Sequence, residues 1–441
     1  MPSDLLVHLL VPRHGGGMLV AHGPDGPALP SIIPEIGADD RLVAAVQRHL
    51  RDRWNLDPLV LETHLPPPPS PDDGYIGLAV LEAPAAAWRP PPGMRWASSP
   101  PLLPQRVARR ARTWLAEWEA DASPPELRPP WSRPGWTARA SAWIDDALHQ
   151  AGRTRTGPAT LVRLWSISAM LRIPTDAGDA WFKAVFPHFH HEPAVTALLA
   201  SAVPDALPSV LGIAPGEGWL LMEAAGSPVP RSAASDVDIL RAIDRLADVQ
   251  QLLRARLDGF VTLGCPRRPL STLPDDLAAA IDEAPGLGGP AVAAEEAAQV
   301  VDRVAERAAS IDGLDFADVL VHGDFHPGNL LVDGPGTRIL DWSDAAVGNP
   351  VVEIGPWFGE VRPELRRRGW DAWLRALSRF GPAEALRAHE DDAYAVACAY
   401  QVVSYAGILR GIEPENRYQL SDGFNGYWND LVAGVAPVLR S

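Results

Sequence analysis

Residues Val319–Asp344 read VLVHGDFHPGNLLVDGPGTRILDWSD. Two apolar runs, Val319–Val321 and Leu330–Val332, flank a polar loop that carries His322, Asp324 and Asn329. A Gly-Pro-Gly turn at 334–336 follows, and a third apolar stretch delivers Asp341. The pattern predicts strand, acidic loop, strand, turn, strand, acid. That order can gather two carboxylates and one amide around a shared point. Phosphoryl transfer needs such a point: one carboxylate to orient the attacking hydroxyl, and an amide plus a carboxylate to hold a phosphate-bridging magnesium. Asp and Asn also cap turns, so residue type alone would not establish the chemistry.

At these residues the chain resembles the aminoglycoside phosphotransferase family of small-molecule kinases, relatives of the protein kinases. That family carries an HGDxxxxN catalytic loop followed by a metal-binding Asp. Here His322-Gly323-Asp324 and Asn329 match the loop, and Asp341 matches the metal carboxylate. The resemblance implies a catalytic base at Asp324, magnesium ligands at Asn329 and Asp341, and ATP and Mg2+ as cofactors. It also implies an α+β, bilobal, protein-kinase-like fold, with a small antiparallel N-lobe and a mostly helical C-lobe.

Composition bounds the setting. A chain of 441 residues exceeds one ordinary core, so two or three domains are expected. A net charge of −16 argues against a general nucleic-acid binder, which needs a basic face. The 2 cysteines, Cys265 and Cys398, lie far apart, which fits a reducing cytoplasm. The start, MPSDLLVHLLVPRHGG, reads as a strand and not a signal peptide. The apolar stretch 393–412 is broken by Gln401, Ser404 and Arg410, and reads as a buried helix with no membrane role.

Proline clusters mark the expected boundaries. Those at 66–69, 90–92 and 100–104 interrupt the first hundred residues, and a further cluster at 124–134 reads as a stiff extended linker. Residues 105–120 carry Val107, Ala111, Trp114, Leu115 and Trp118 at helical spacing. The expected division is 1–120, a linker at 121–135, an N-lobe at 136–225 and a C-lobe at 226–441.

The second part follows a kinase order. A helix at 137–151 precedes strands at 161–167 and 169–174, then a tight turn at 176–179 and the strand 180–186, AWFKAVF. Lys183 stands alone among apolar residues there and must find an anion or stay unpaired at a cost. The resemblance implies contact with the ATP phosphates, and it needs an acidic partner on the next helix. Glu192, before the helix 193–202, is the candidate; an acid there also suits the helix dipole. Strands at 207–213 and 218–223 close the lobe, and Met222-Glu223-Ala224 resembles the hinge that would pair with adenine.

The main departure is the phosphate-covering loop. Protein kinases show GxGxxG; this chain has Arg163-Leu164-Trp165-Ser166-Ile167-Ser168-Ala169, without glycine. Ser166 and Ser168 are candidate phosphate donors, or turn residues. Asn349 and Glu353 stand where the family usually shows acids of its own, and the expectation is capping. His326 is expected to make a structural hydrogen bond, and His188, His190 and His191 lack the ligand spacing of a zinc site. The family's acceptors lie against C-lobe helices, and acids of that region here are Glu390, Asp391, Asp392, Glu413 and Glu415.

The first part resembles a Nudix domain: strands at 5–11 and 17–21 read as a pair, then a helix at 39–54 and strands at 60–64 and 75–81. The Nudix helix needs metal-binding glutamates, and here His49, Asp52 and Arg53 replace them. The resemblance therefore implies a hydrolytically inactive accessory domain, used for binding or for homodimer formation. Three readings follow: a kinase of a small-molecule hydroxyl such as that of an aminoglycoside or amino sugar, with a nucleoside triphosphate as donor; a nucleotide-binding pseudokinase with a regulatory or scaffolding role; and a Nudix-type hydrolase, which the broken helix motif disfavours.

Overall fold

The computed structural model describes residues 5–432 apart from 24–25, 38–40, 71–72, 99–100, 121–122, 226, 229–234 and 334–335. The chain forms two compact units: Met1–Phe186 with Ile412–Gln419, and Pro187–Gly411 with Leu420–Ser441.

In the first unit, β1 (Leu5–Leu10), β4 (Ser31–Ile32), β5 (Val60–His64) and β6 (Tyr75–Leu81) make a mixed sheet of order β4-β1-β6-β5. The period-2 alternation of β1 decides its two faces. Leu5, Val7 and Leu9 pack with Leu42, Val46 and Leu50 of α1 (Leu42–Trp54), whereas Leu10 packs with Val107, Ala111 and Trp114 at α2 (Ala108–Ala120). The helix expected from residue 39 starts within the described residues at Leu42; Asp39 and Asp40 lie outside them.

The expected pairing of the first two strands is corrected. β1 instead runs parallel to β6, with Leu5 opposite Tyr75 and Leu10 opposite Val80. β2 (Met18–Gly23) belongs to a second sheet with β3 (Gly26–Ala28) and β7 (Met94–Ala97), in the order β3-β2-β7. Gly15, Gly16 and Gly17 take φ of 83°, 101° and 95°, values open to glycine. They swing the chain from one sheet to the next, and an isolated bridge from Pro12 to Met18 remains at the crossing.

The same unit holds α3 (Trp136–Gln150) and an antiparallel meander of β8 (Thr160–Leu164), β9 (Ser168–Thr175) and β10 (Gly178–Val185). The proline-rich stretch packs into it. Arg128 and Trp131 are each 1% exposed, because both find partners there. The Trp131 indole donates to Trp165 O at 2.9 Å, and Ser132 Oγ donates to Leu61 O at 2.6 Å.

Buried charge joins the segment Ile412–Gln419 to this unit. Arg110 bonds Glu62 at 2.9 Å and Glu413 at 2.7 Å; Arg128 bonds Glu413 at 3.0 Å and Glu117 at 2.6 Å. Asn416 Nδ2 donates to Glu62 Oε1 at 2.8 Å, and Trp114 Nε1 donates to Glu62 Oε2 at 2.6 Å. Burial works against the Glu62 charge, but Arg110 outweighs it and holds the carboxyl down at about 2.

The second unit opens with α4 (Glu192–Ala202) and a hairpin of β11 (Val210–Ala214) and β12 (Trp219–Glu223). β13 (Ser227–Pro228) follows, then α5 (Asp236–Leu253), where Ser235 Oγ accepts from Asp238 N as the N-cap. Next come α6 (Leu257–Thr262), β14 (Arg267–Arg268), α7 (Leu273–Leu287) and α8 (Ala294–Asp312). Two three-stranded sheets then frame the acidic loop. One orders β14, β18 (Ala346–Gly348) and β15 (Val319–Val321); the other orders β13, β16 (Leu330–Asp333) and β17 (Gly336–Ile339). The proline of the Gly-Pro-Gly turn lies outside the described residues. α9 (Ile354–Glu360), α10 (Pro363–Leu377), α11 (Glu390–Arg410) and α12 (Tyr418–Val432) complete the described chain. α11 is buried along most of its length. Among the described residues no helix is long and apolar enough to cross a membrane.

Candidate active site

The acidic loop 322–329 runs from β15 to β16, and its backbone is held from below by one buried acid. Glu353 is 0% exposed and accepts from His322 N at 2.5 Å, Gly323 N at 3.3 Å and Gln250 Nε2 at 2.9 Å. Burial pushes the Glu353 carboxyl up to about 8, against the pull of these three donors. Gln250 also donates to Leu320 O at 3.1 Å, and Gln401 donates to Gly323 O at 2.7 Å. Gly323 has φ 83°, and a Cβ there would meet Asp344 O at 2.3 Å, so glycine is required by both conformation and space.

His322 is fully buried and spans the two sheets. Its Nε2 lies 2.8 Å from Leu340 O, and its Nδ1 accepts from Asp324 N at 3.3 Å. That bonding assigns the proton to Nε2, and burial lowers the ring's pKa, so it stays neutral. Both Asp324 and Asp341 act on this one ring electrostatically, so the fold brings the two carboxylates to a common neighbourhood.

Asp324 is 40% exposed at its side chain, whereas His322, Gly323, Phe325 and His326 beside it are buried. Asn329 Nδ2 donates to Asp324 O at 2.9 Å and to Asp324 Oδ2 at 3.2 Å. These bonds orient the carboxylate and leave Asn329 Oδ1 as that residue's metal-type donor. His326 takes its structural part: Nδ1 accepts from Gly328 N at 3.0 Å, and Nε2 stands 3.4 Å from Asp324 Oδ2. Asp341 adopts φ 63°, a left-handed conformation that Asp tolerates better than most residues. Ser343 Oγ donates to Asp341 Oδ1 at 2.6 Å. Among the described residues no group of three or more His, Cys, Asp or Glu could hold a metal. The amide and carboxylate of Asn329 and Asp341 suit magnesium, which keeps waters and substrate phosphates as its remaining ligands.

The other expected residues are described within their own units. In the first, Lys183 is 7% exposed in β10, opposite Met170. Ser166 and Ser168, each 5% exposed, are tied into the β8–β9 turn. Ser166 N donates to Gln419 Oε1 at 2.9 Å, and Trp165 Nε1 donates to Ser168 Oγ at 2.6 Å. In the second, Glu192 is 2% exposed at the first turn of α4. Met222 and Glu223 end β12, with Glu223 N donating to Ser209 O at 2.9 Å, and Ala224 follows exposed. Asn349 caps, its Oδ1 accepting from Val351 N at 3.0 Å.

Three of the acids weighed as acceptor contacts have partners of their own. Glu413 lies in the buried ion cluster, Glu390 pairs with Arg367 at 3.1 Å, and Asp392 pairs with Arg307 at 3.5 Å. Trp370, Trp373, Tyr394 and Tyr400 are core residues. Sequence reasoning missed Gln250, Ser343 and Tyr427. Gln250 had a signal: it is the polar residue on the buried stripe Ile239, Ile243, Leu246 and Leu253 of α5. Tyr427 on α12 is near enough to Asp324 to feel its charge; burial, Tyr405 and Asp324 keep its phenol protonated.

No curated protein matches the chain. A choline/ethanolamine kinase family protein from Mesorhizobium loti is similar in structure, with TM-score 0.50 and 16% identity over 69% of this chain and 96% of that one. A macrolide 2'-phosphotransferase from Brachybacterium faecium gives TM-score 0.43 and 17% identity, over 67% and 97%. The GDP complex of an aminoglycoside 2'-phosphotransferase-IIIa gives 0.46 and 15%, over 67% and 97%. The family profile described as the phosphotransferase enzyme family matches residues 161–387, more than half of the sequence. The chain belongs to the phosphotransferase enzyme family and has a protein-kinase-like α+β fold.

Proposed function

We propose that this protein is an ATP- and magnesium-dependent kinase that phosphorylates a hydroxyl of a small molecule such as an aminoglycoside or amino sugar. One observation carries the reading: Asp324 is an accessible carboxylate on a loop whose His322, Gly323, Phe325 and His326 are buried, it is clamped by Asn329, and both it and Asp341 act electrostatically on the His322 ring. Asp324 accepts or orients the acceptor's hydroxyl proton. Asn329 and Asp341 hold the magnesium, which would neutralise charge on the transferring phosphoryl group. Lys183, with Glu192 as its ion-pair partner, and Ser166 and Ser168 in the β8–β9 turn serve as phosphate contacts. Met222–Ala224 pair with the adenine edge. Residues 1–120 act as a Nudix-like accessory domain.

Asp324→Asn tests the assignment, since it keeps shape and removes the base. Acceptor-dependent ATP turnover across a panel of aminoglycosides, amino sugars and amino alcohols should fall by about 10²–10⁴-fold, with ATP binding retained. Unchanged turnover in this variant refutes the role of Asp324. Wild-type protein that binds ATP and magnesium but turns over no acceptor favours the pseudokinase reading.

A further inference from the structure

A cavity of about 750 Å³ lies within the first compact unit, walled by the Gly15–Gly17 loop, Met18, Glu82, Leu115, Glu117 and Trp118. That size falls in the range of sites for small organic ligands, about 300–1,000 Å³. The two partly buried carboxylates on its wall differ in their partners. Glu117 is matched by Arg128 at 2.6 Å. Glu82 accepts one hydrogen bond, from Gly135 N at 3.0 Å, and among the described residues has no arginine or lysine. Burial raises the pKa of Glu82, against the Gly135 amide and against His14, which is exposed and lines the cavity with Arg13. A half-buried carboxylate without an arginine or lysine partner, in a cavity also lined by Leu115 and the Trp118 indole, is complemented by a ligand with an ammonium and an apolar body.

Neighbours of the cavity lining also bond the β8–β9 turn. Arg128 holds Glu413, and the same segment places Gln419 Oε1 on Ser166 N at 2.9 Å. Ser132, on the wall, follows Trp131, whose indole bonds Trp165 O at 2.9 Å. One attachment of the turn thus lies on the short segment that Arg128 of the lining holds at Glu413, and the other is the chain neighbour of Ser132 of the lining.

We propose that this cavity is an effector site for a small organic amine with an apolar body, whose occupancy changes nucleotide affinity through the 165–168 turn. The second half rests on the reading of that turn as the phosphate cover.

Calorimetric titration of the full chain tests both halves, with phenethylamine as probe and phenethyl alcohol as its uncharged isostere. The amine should bind about tenfold tighter than the alcohol, and Glu82→Gln should remove that preference. Equal binding of amine and alcohol, or an amine preference that survives Glu82→Gln, overturns the site. Should Glu82→Gln fail to fold by circular dichroism, Leu115→Trp, which fills the cavity, replaces it, and retained amine binding there overturns the site. The Kd for ATP with saturating phenethylamine should shift by about fivefold in wild type and not in the variant; no shift overturns the effector role. An absence of ATP binding without amine sinks the kinase reading instead, while the difference between amine and alcohol binding still decides the cavity.

Discussion

At the scale of single residues, Glu353 shows how a carboxylate shapes a site whose chemistry it does not perform. It collects the His322 and Gly323 amides and the Gln250 amide, and so fixes the backbone from which Asp324 projects. Its carboxyl, pushed up to about 8 by burial, sets a sign for pH. Between the ordinary carboxylate value and about 8, the folded chain holds a proton that the unfolded chain has released. The stability linked to this group is therefore greatest below the ordinary value, falls as pH rises through that window, and levels off above it. Glu353→Gln should lower stability by about 1–3 kcal/mol, because one amide loses its acceptor. It should also flatten the pH dependence of the melting temperature between the two values. An unaltered slope would show that other groups set it. Little of this was legible in the sequence, which assigned Glu353 a local capping part but not the amides it would meet.

At the scale of elements, the segment Ile412–Gln419 does most to organise the first unit for its length. Glu413 faces two buried arginines, Arg110 and Arg128, and removing it leaves both without that carboxylate. Glu413→Ala should cost about 3–5 kcal/mol, read from chemical denaturation. A double-mutant cycle with Glu413 and Arg128 should return a coupling of about 1 kcal/mol or more; additive effects would mean the pair is independent. The Glu62 carboxyl adds an acid limb. Its depressed pKa contributes stability above the ordinary carboxylate value, lost as pH falls toward about 2. Periodicity announced α2 and α3 within a few residues, since each carries an apolar stripe. It could not announce that Glu413 and Asn416 would meet Glu62 and Arg110, because no local pattern encodes a partner some 300 residues away.

At the scale of the whole molecule, the first 134 residues share a compact unit with α3 and β8–β10. Were they a detachable accessory, a chain beginning at Gly135 would keep its phosphotransfer. The packing implies otherwise. Such a chain loses Trp131 from Trp136 and Trp165, and it loses Arg110 and Arg128 from Glu413. It should melt well below the full chain and lose its cooperative transition, as followed by circular dichroism. A truncated chain that melts like the full one and turns over substrate would show that the remaining residues fold on their own.

The sequence by itself determined the family and the candidate loop, because HGDxxxxN and the later Asp lie close together in the chain on either side of the β16–β17 hairpin, whose strands and turn are set by neighbours. It also determined several helices, through spacing that needs no distant partner. Tertiary structure alone decided the strand partners of β1, the burial of the proline-rich stretch, and the fate of Glu413. Each of these depends on which distant groups share a low-dielectric interior, where a charge must be matched and a strand edge covered. Such matching is a property of the packed chain, and local sequence does not carry it.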